Sequence, residues 1–168
     1  MLITRTDHPF NEVSFLNVVA ILRRDEIFKI NTDTGKVDIT AKDLHDDGMT
    51  PLHRACISVS AETVDFLLEH DSVKVMVDNR DENGRNPISY RVEKGLEKMS
   101  QRLVNLNTVN HDALDNQVHM PFNYAINHSH EDITRALLNT GRVNRQNAAR
   151  FGSVTQRLVG RKHVPTLI

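Results

Sequence analysis

The chain of 168 residues carries a formal net charge of −1 at pH 7, with 39% hydrophobic and 26% charged residues. This length allows one domain with a buried core, and the balanced charge argues against nucleic acid as the main partner. A single cysteine, Cys56, excludes an intrachain disulfide, and the sequence shows neither a secretory signal nor an apolar run long enough for a membrane span. We therefore expect an intracellular protein, cytoplasmic or nuclear, with no nucleic-acid or membrane partner.

The first predicted helical unit covers residues 14–46, after an N-terminal extension at 1–13. Its apolar pattern begins at Ser14 and continues onto a second helix at Ile27 and Ile30. Polar residues follow Ile30 where later units carry paired leucines. Because the terminal unit of a stacked array needs a water-compatible outer face, we interpret this unit as a cap.

The second predicted unit, 47–82, contains the clearest local signal for a helix start. Thr50 is suited to be an N-cap, and Pro51 occupies the first helical position, where no backbone N–H is needed. Apolar or small residues then recur at i, i+3 and i+4, which predicts one buried stripe on each of two helices. The two stripes consist of Leu52, Ala55 and Cys56, and of Val64, Leu67 and Leu68.

Two further units repeat this pattern, at 83–117 and 118–145. The segment Asn86–Ser89 follows Thr50–His53 by 36 residues, and Met120–Asn123 follows after another 34. Gly95 is predicted to end the first helix of the third unit in a left-handed conformation. Residues 146–168 read as a C-terminal cap or half-repeat.

A period near 35 residues, together with the Thr-Pro-Leu-His-x-Ala wording at Thr50–Ala55, resembles the ankyrin repeat. The resemblance implies an all-α solenoid of stacked helical hairpins with β-hairpin finger loops. The fingers would be the segments between units, which contain β-branched residues and turn pairs such as Asp47–Gly48 and Asn83–Gly84. The wording of Thr34–Asp38 and Thr140–Asn144 is similar to repeats of long fungal ankyrin arrays.

Reactive constellations are not evident. The chain has no glycine-rich phosphate loop and no zinc-protease motif. His53 and His130 occupy positions where ankyrin units often carry a structural histidine, and Cys56 lies on an apolar stripe as a small buried thiol. The sequence therefore predicts a protein that is not an enzyme, with no catalytic residues, no metal site and no cofactor.

The ankyrin resemblance implies that a partner protein binds the concave surface, which is built from the fingers and the first helix of each pair. Tyr90 and Arg91 replace an apolar and a small residue there, and both types are preferred interface anchors. The predicted partner-binding residues are Asp46, Asp47, Met49, Ile57, Ser58, Glu82, Asn83, Arg85, Tyr90, Arg91, Glu93, Lys94, Asn116, Gln117, His119, Asn127 and His128.

The leading interpretation is a protein–protein interaction module, which as a capped array has no need to self-associate and is expected to be a monomer. The alternative is a targeting, structural or effector-type protein that docks through a basic C-terminal region, since no acidic residue follows Asp132. The basic residues of that region are Arg135, Arg142, Arg145, Arg150, Arg157, Arg161 and Lys162.

Overall fold

The computed structural model describes residues 12–22, 24–33, 35, 37–58, 60–95, 97–144 and 146, without the side chains of 97–99. Within these residues the chain is helical and has no strand, and no helix is long and apolar enough to cross a membrane. The helices are α1 (Glu12–Ile21), α2 (Asp25–Asp33), α3 (Pro51–Ser58), α4 (Ala61–Glu69), α5 (Asp71–Val75), α6 (Pro87–Glu93), α7 (Glu97–Val104), α8 (Pro121–Asn127) and α9 (Glu131–Asn139).

The helices form two layers that share one interior. The first helices α1, α3, α6 and α8 pack in succession, while α2 packs on α4 and α7 on α9. Each first helix also packs on its own second helix, which makes four helix pairs in the described part of the chain. The all-α stacked architecture expected from the sequence is confirmed. The predicted C-terminal cap at 146–168 lies outside the described residues, apart from Gln146.

The helix starts follow the predicted local chemistry. The side chain of Asn86 caps α6 by accepting from the N–H of Ser89 at 3.2 Å, and Pro87 is the first residue of that helix. At α8 the cap is reversed: Met120 offers no hydroxyl or amide, and Asn123 Oδ1 accepts from the N–H of Met120 at 2.8 Å. The side chain inside the helix thus replaces part of what the missing cap residue would supply.

The segment after α4 differs from its predicted role as part of a finger. Residues Asp71–Val75 form the short helix α5. Val73 and Val77 are buried while Val75 is 76% exposed, which is a helical spacing and places the two buried valines on one side. Val73 and Val77 therefore belong to the core, and the segment does not pair as a strand.

The fingers are compact turns in the described residues, not hairpins of extended strands. The first finger is closed by a single antiparallel bridge between Asp43 and Met49. Positive φ angles occur at Asp47 and Gly48, as the turn requires. Short turns of this kind give each finger a defined base and tip, which positions the polar side chains described below.

The first helix pair corrects the sequence interpretation. Phe28 is fully buried in α2, whereas Ile27 and Ile30 are 44% and 65% exposed. The inward face of α2 is therefore shifted by one residue from the predicted one. Phe28, and not Ile27, takes the inward position that Val64 takes in the next pair. The outer face of this pair therefore exposes two isoleucines among its polar residues, which differs from the polar surface expected of a cap.

Candidate functional site

Each finger is closed at its base by an aspartate. The N–H of Asp81 donates to the carbonyl of Arg85 at 3.0 Å, and Asp81 Oδ1 accepts from the N–H of Arg85 at 2.9 Å. Asp115 repeats both bonds with His119, each at 2.8 Å. At the base of the first finger the N–H of Asp43 donates to the carbonyl of Met49 at 2.9 Å. Since a carboxylate on a turn satisfies backbone donors that would otherwise need water, these bases are rigid supports.

The finger tips are joined to one another by backbone hydrogen bonds. The N–H of Glu82 donates to the carbonyl of Asp47 at 2.8 Å, and the N–H of Asn116 donates to that of Asn83 at 3.0 Å. The tips approach so closely that a Cβ on Gly84 would lie 2.5 Å from the Asn116 side chain, and Gly84 has a φ of +75°. The three fingers therefore form one continuous ridge.

Two tyrosines of the first helices are anchored to the finger bases. The hydroxyl of Tyr90 donates to Asp81 Oδ2, and that of Tyr124 donates to Asp115 Oδ2, nine residues apart in both cases. Burial is the main reason why the pKa of each tyrosine lies far above its usual value, and the hydrogen bond to the aspartate is the second. Burial opposes ionisation of Asp115, but hydrogen bonds led by that from Tyr124 outweigh it and lower the pKa of Asp115.

Arg85 links the third and fourth helix pairs through these tyrosines. Its guanidinium lies 3.8 Å from the ring centroid of Tyr90 and 4.1 Å from that of Tyr124. Arg85 Nη2 also lies 2.6 Å from Glu93 Oε2. A planar cation between two rings, with its charge paired, is a stiff element. It holds α6 and α8 together at their junction.

The predicted partner-binding residues divide into three groups by exposure. We use the name finger surface for the exposed group, which is Asp47, Glu82, Asn83, Lys94, Asn116, Gln117, Asn127 and His128. The partly buried group is Asp46, Ile57, Ser58, Arg85, Glu93 and His119. The buried group is Met49, Tyr90 and Arg91. The finger surface is polar, with both signs of charge.

Arg91 does not fit the predicted role of an exposed anchor. It is fully buried, and its Nη1 lies 3.3 Å from the carbonyl of Cys56 on α3. Its position in the repeat is that of Ala55 and Ala125, which are also fully buried, so helical phase turns it inward despite its charge. Burial lowers the pKa of Arg91 and raises that of Cys56 to about 12, which keeps this thiol protonated and unreactive.

Tyr90 and Met49 are likewise interior residues. Tyr90 is 8% exposed because its ring is covered by Arg85 and its hydroxyl is held by Asp81. Met49 is 5% exposed and belongs to the core cluster. These two side chains support the surface from below and are not available to touch a partner.

In the second helix pair an arginine and an aspartate take the place of the tyrosine and aspartate found in the later pairs. Arg54 stands where the later helices carry tyrosine, and its Nε donates to Asp46 Oδ2 at 2.5 Å. Asn17 Nδ2 also donates to Asp46, at 3.1 Å. The carboxylate of Asp46 is thus occupied within the chain, and Asp47 is the exposed acid at this tip.

The histidines at the helix junctions are structural, as the resemblance implies. His53 Nδ1 accepts from the N–H of Thr50 at 3.1 Å, so Nε2 carries the proton and donates to the carbonyl of Arg85 at 3.1 Å. His130 Nε2 lies 3.0 Å from the carbonyl of Glu93. Among the described residues no three His, Cys, Asp or Glu side chains are grouped so as to hold a metal ion.

The sequence interpretation missed the finger-base aspartates, although a signal exists. Asp81 and Asp115 each precede the helix-starting proline by six residues. They also precede Tyr90 and Tyr124 by nine residues, so a coupled Asp and Tyr spacing marks the supported part of the surface. Asp43 precedes Pro51 by eight residues, because its finger is two residues longer.

The repeated helix pairs match a known protein family. A family model described as ankyrin repeats, in three copies, matches residues 10–115, which is more than half of the chain. A comparison with curated proteins gives no significant match. The matched region includes the first three helix pairs, and the structure adds α8 and α9 in the same packing. The chain therefore belongs to the ankyrin-repeat family.

Proposed function

We propose that the chain binds another protein through the finger surface. Ankyrin repeats are in general protein–protein interaction modules and generally lack enzymatic activity. Within this chain the supporting observation is the tip-to-tip hydrogen bonding of the fingers, in which Glu82 is tied to Asp47 and Asn116 to Asn83. A ridge that is ordered before binding loses little conformational entropy when a partner docks.

The polarity of the finger surface indicates the kind of contact. Its exposed side chains include the acids Asp47 and Glu82, the cation Lys94 and several amides. Such a surface forms hydrogen bonds and rim ion pairs more than apolar anchors. Arg85 and the two tyrosines contribute by holding this surface in place.

The test is affinity capture from native lysate, with partners compared between two double variants. Glu82→Arg with Gln117→Arg changes two exposed finger residues, and Glu69→Arg with Asn139→Arg changes two exposed residues on second helices. We expect the finger variant to lose its captured partner, because the new charges oppose the docked surface. The second-helix variant should keep it, and equal capture by both would contradict the proposal.

The basic C-terminal region is the competing docking site. Of its basic residues the structure describes two, and both have contacts within the chain. Arg142 Nη1 donates to the carbonyl of Leu106 at 2.7 Å, and Arg135 lies 3.8 Å from Asp132. The short bond of Arg142 favours a structural role for that residue, whereas the exposed pair of Arg135 contributes little. In the same capture experiment, truncation after Asn144 should leave the partner bound; its loss would favour the C-terminal region.

A further inference from the structure

The first helix pair exposes an unusual share of large apolar side chains. Of the eleven that are exposed in the described residues, five belong to α1 and α2. Three of them, Phe15, Ile27 and Ile30, are 45%, 44% and 65% exposed and belong to α1 and α2. We use the name end face for these three residues.

The repeat relates the end face to an interface that the chain already contains. Shifting by 36 residues pairs Asn17 with His53, and both donate to a carbonyl 32 residues further on, at Met49 and Arg85. The equivalence is therefore structural as well as sequential. By the same shift Phe15, Ile27 and Ile30 correspond to Pro51, Thr63 and Phe66.

Two of those corresponding residues, Thr63 and Phe66, contact the first helix pair. Thr63 Oγ1 donates to Asp25 Oδ1 on α2, and the ring of Phe66 lies 6.2 Å from that of Phe28. Pro51 is buried as well. Arg102, which is 36 residues after Phe66, lies 2.5 Å from Asp65 on α4 and so continues the rule. The end face is thus a stacking surface with nothing stacked on it among the described residues.

The charges that border the end face on α2 are of both signs. Glu26 and Lys29 flank Ile27 and Ile30 on α2 and carry opposite signs. A two-fold axis through an apolar centre would bring Glu26 of one copy toward Lys29 of the other, since an isologous interface repeats each contact twice. The apolar centre and the pairing of Glu26 with Lys29 across the axis fit a second copy of the same chain.

We propose that two copies of this protein associate through their end faces, α2 against α2, to form a two-fold symmetric dimer. The expectation of a monomer assumed a polar capping unit, and the exposed end face removes that assumption. The inference does not depend on the partner-binding role of the finger surface. A dimer would present two finger surfaces, so a partner with two binding sites would gain from a high effective concentration.

Sedimentation velocity of the full chain over a roughly hundredfold range of concentration tests the proposal. We expect the average mass to rise from monomer to dimer. Ile30→Lys should raise the dissociation constant at least about tenfold, because it buries an unpaired charge at the centre of the interface. Val118→Lys is the matched control, since Val118 is also 65% exposed but lies on the third finger. It should dimerise like the unmodified chain.

A chain that remains monomeric over the whole range would overturn the proposal, and so would an Ile30→Lys variant that dimerises normally. In the monomeric case, deletion of residues 1–11 distinguishes the remaining occupants: faster amide exchange in α2 of the shortened chain would indicate that those residues cover it, and unchanged exchange would leave another protein. Circular dichroism checks that each variant is folded, which we expect because both substituted positions are largely exposed.

Discussion

The junction between the third and fourth helix pairs is covered, whereas the first helix pair leaves large apolar side chains open to solvent. At the junction of α6 and α8, Arg85 is enclosed by two tyrosines and Gly95 is covered by His130. In the first pair, Ile27 and Ile30 carry larger apolar surfaces but face solvent. The comparison teaches that position in the repeat fixes where a side chain points, whereas the neighbouring pair decides whether it is buried.

The well-covered junction can be broken at one glycine. Gly95 has a φ of +71°, and a Cβ there would lie 2.3 Å from the His130 ring, which bonds to Glu93 across the same junction. We expect Gly95→Ala to lower the free energy of unfolding by about 4 kcal/mol, through backbone strain and displacement of the ring. Urea denaturation monitored by circular dichroism measures this loss.

Gly141 provides the control for backbone strain. It has a φ of +67°, and a Cβ there would meet nothing within 4 Å. Gly141→Ala should therefore cost about 1 kcal/mol, from the left-handed conformation alone. If the two substitutions cost the same, the close approach of His130 does not contribute and the contrast between covered and open positions is lost.

The inward position that holds Asn17 in the first pair holds His53 in the second, and this histidine makes the free energy of unfolding depend on pH. His53 is buried, and burial lowers its pKa from 6.5 to about 4, while its counterpart Asn17 does not titrate. The unfolded chain therefore binds a proton between these pH values that the folded protein does not. Stability should fall as pH decreases from 6.5 to 4, by about 3 kcal/mol in total, with no further loss from His53 below that.

His53→Asn places in the second helix pair the residue that the first pair carries at this position. It should remove the part of the pH dependence that comes from His53. His111 also has a pKa lowered by burial, so some acid sensitivity remains in the variant. The informative quantity is the difference in unfolding free energy between the unmodified chain and the variant, measured by urea denaturation at several pH values. A difference that stays constant from pH 7 to pH 4 would mean that His53 is not held neutral.

The smallest expected effect concerns the tyrosine anchors. Tyr124→Phe removes the hydroxyl that donates to Asp115 but keeps the ring beside Arg85. Because the carboxylate keeps its backbone donors from Gln117 and His119, we expect a loss of about 1–2 kcal/mol. The pKa of Asp115 should rise, since Tyr124 contributes most to lowering it. A carboxyl titration followed by NMR that is unchanged in the variant would contradict this account.

Much of the architecture was predictable because it depends on neighbours in sequence. Asn86 and Pro87 set the start of α6, and Gly95 ends it with a positive φ. The inward stripes of α3 and α4 followed from helical spacing. The finger surface was predictable only in part, since it depends on which residues at the tips remain exposed. Arg91 shows the limit: its residue type suggested an interface anchor, and its helical phase placed it in the core.

What the sequence alone determined is the repeat itself, that is, the helix starts, the inward stripes and the turn positions, because each follows from bonds and spacings within a few residues. The tertiary structure decided which of these surfaces are covered. Arg85 meets Tyr124 across the junction of two helix pairs, and the end face of the first pair remains exposed among the described residues. Such outcomes depend on the distance between separate helix pairs, which local propensity does not encode.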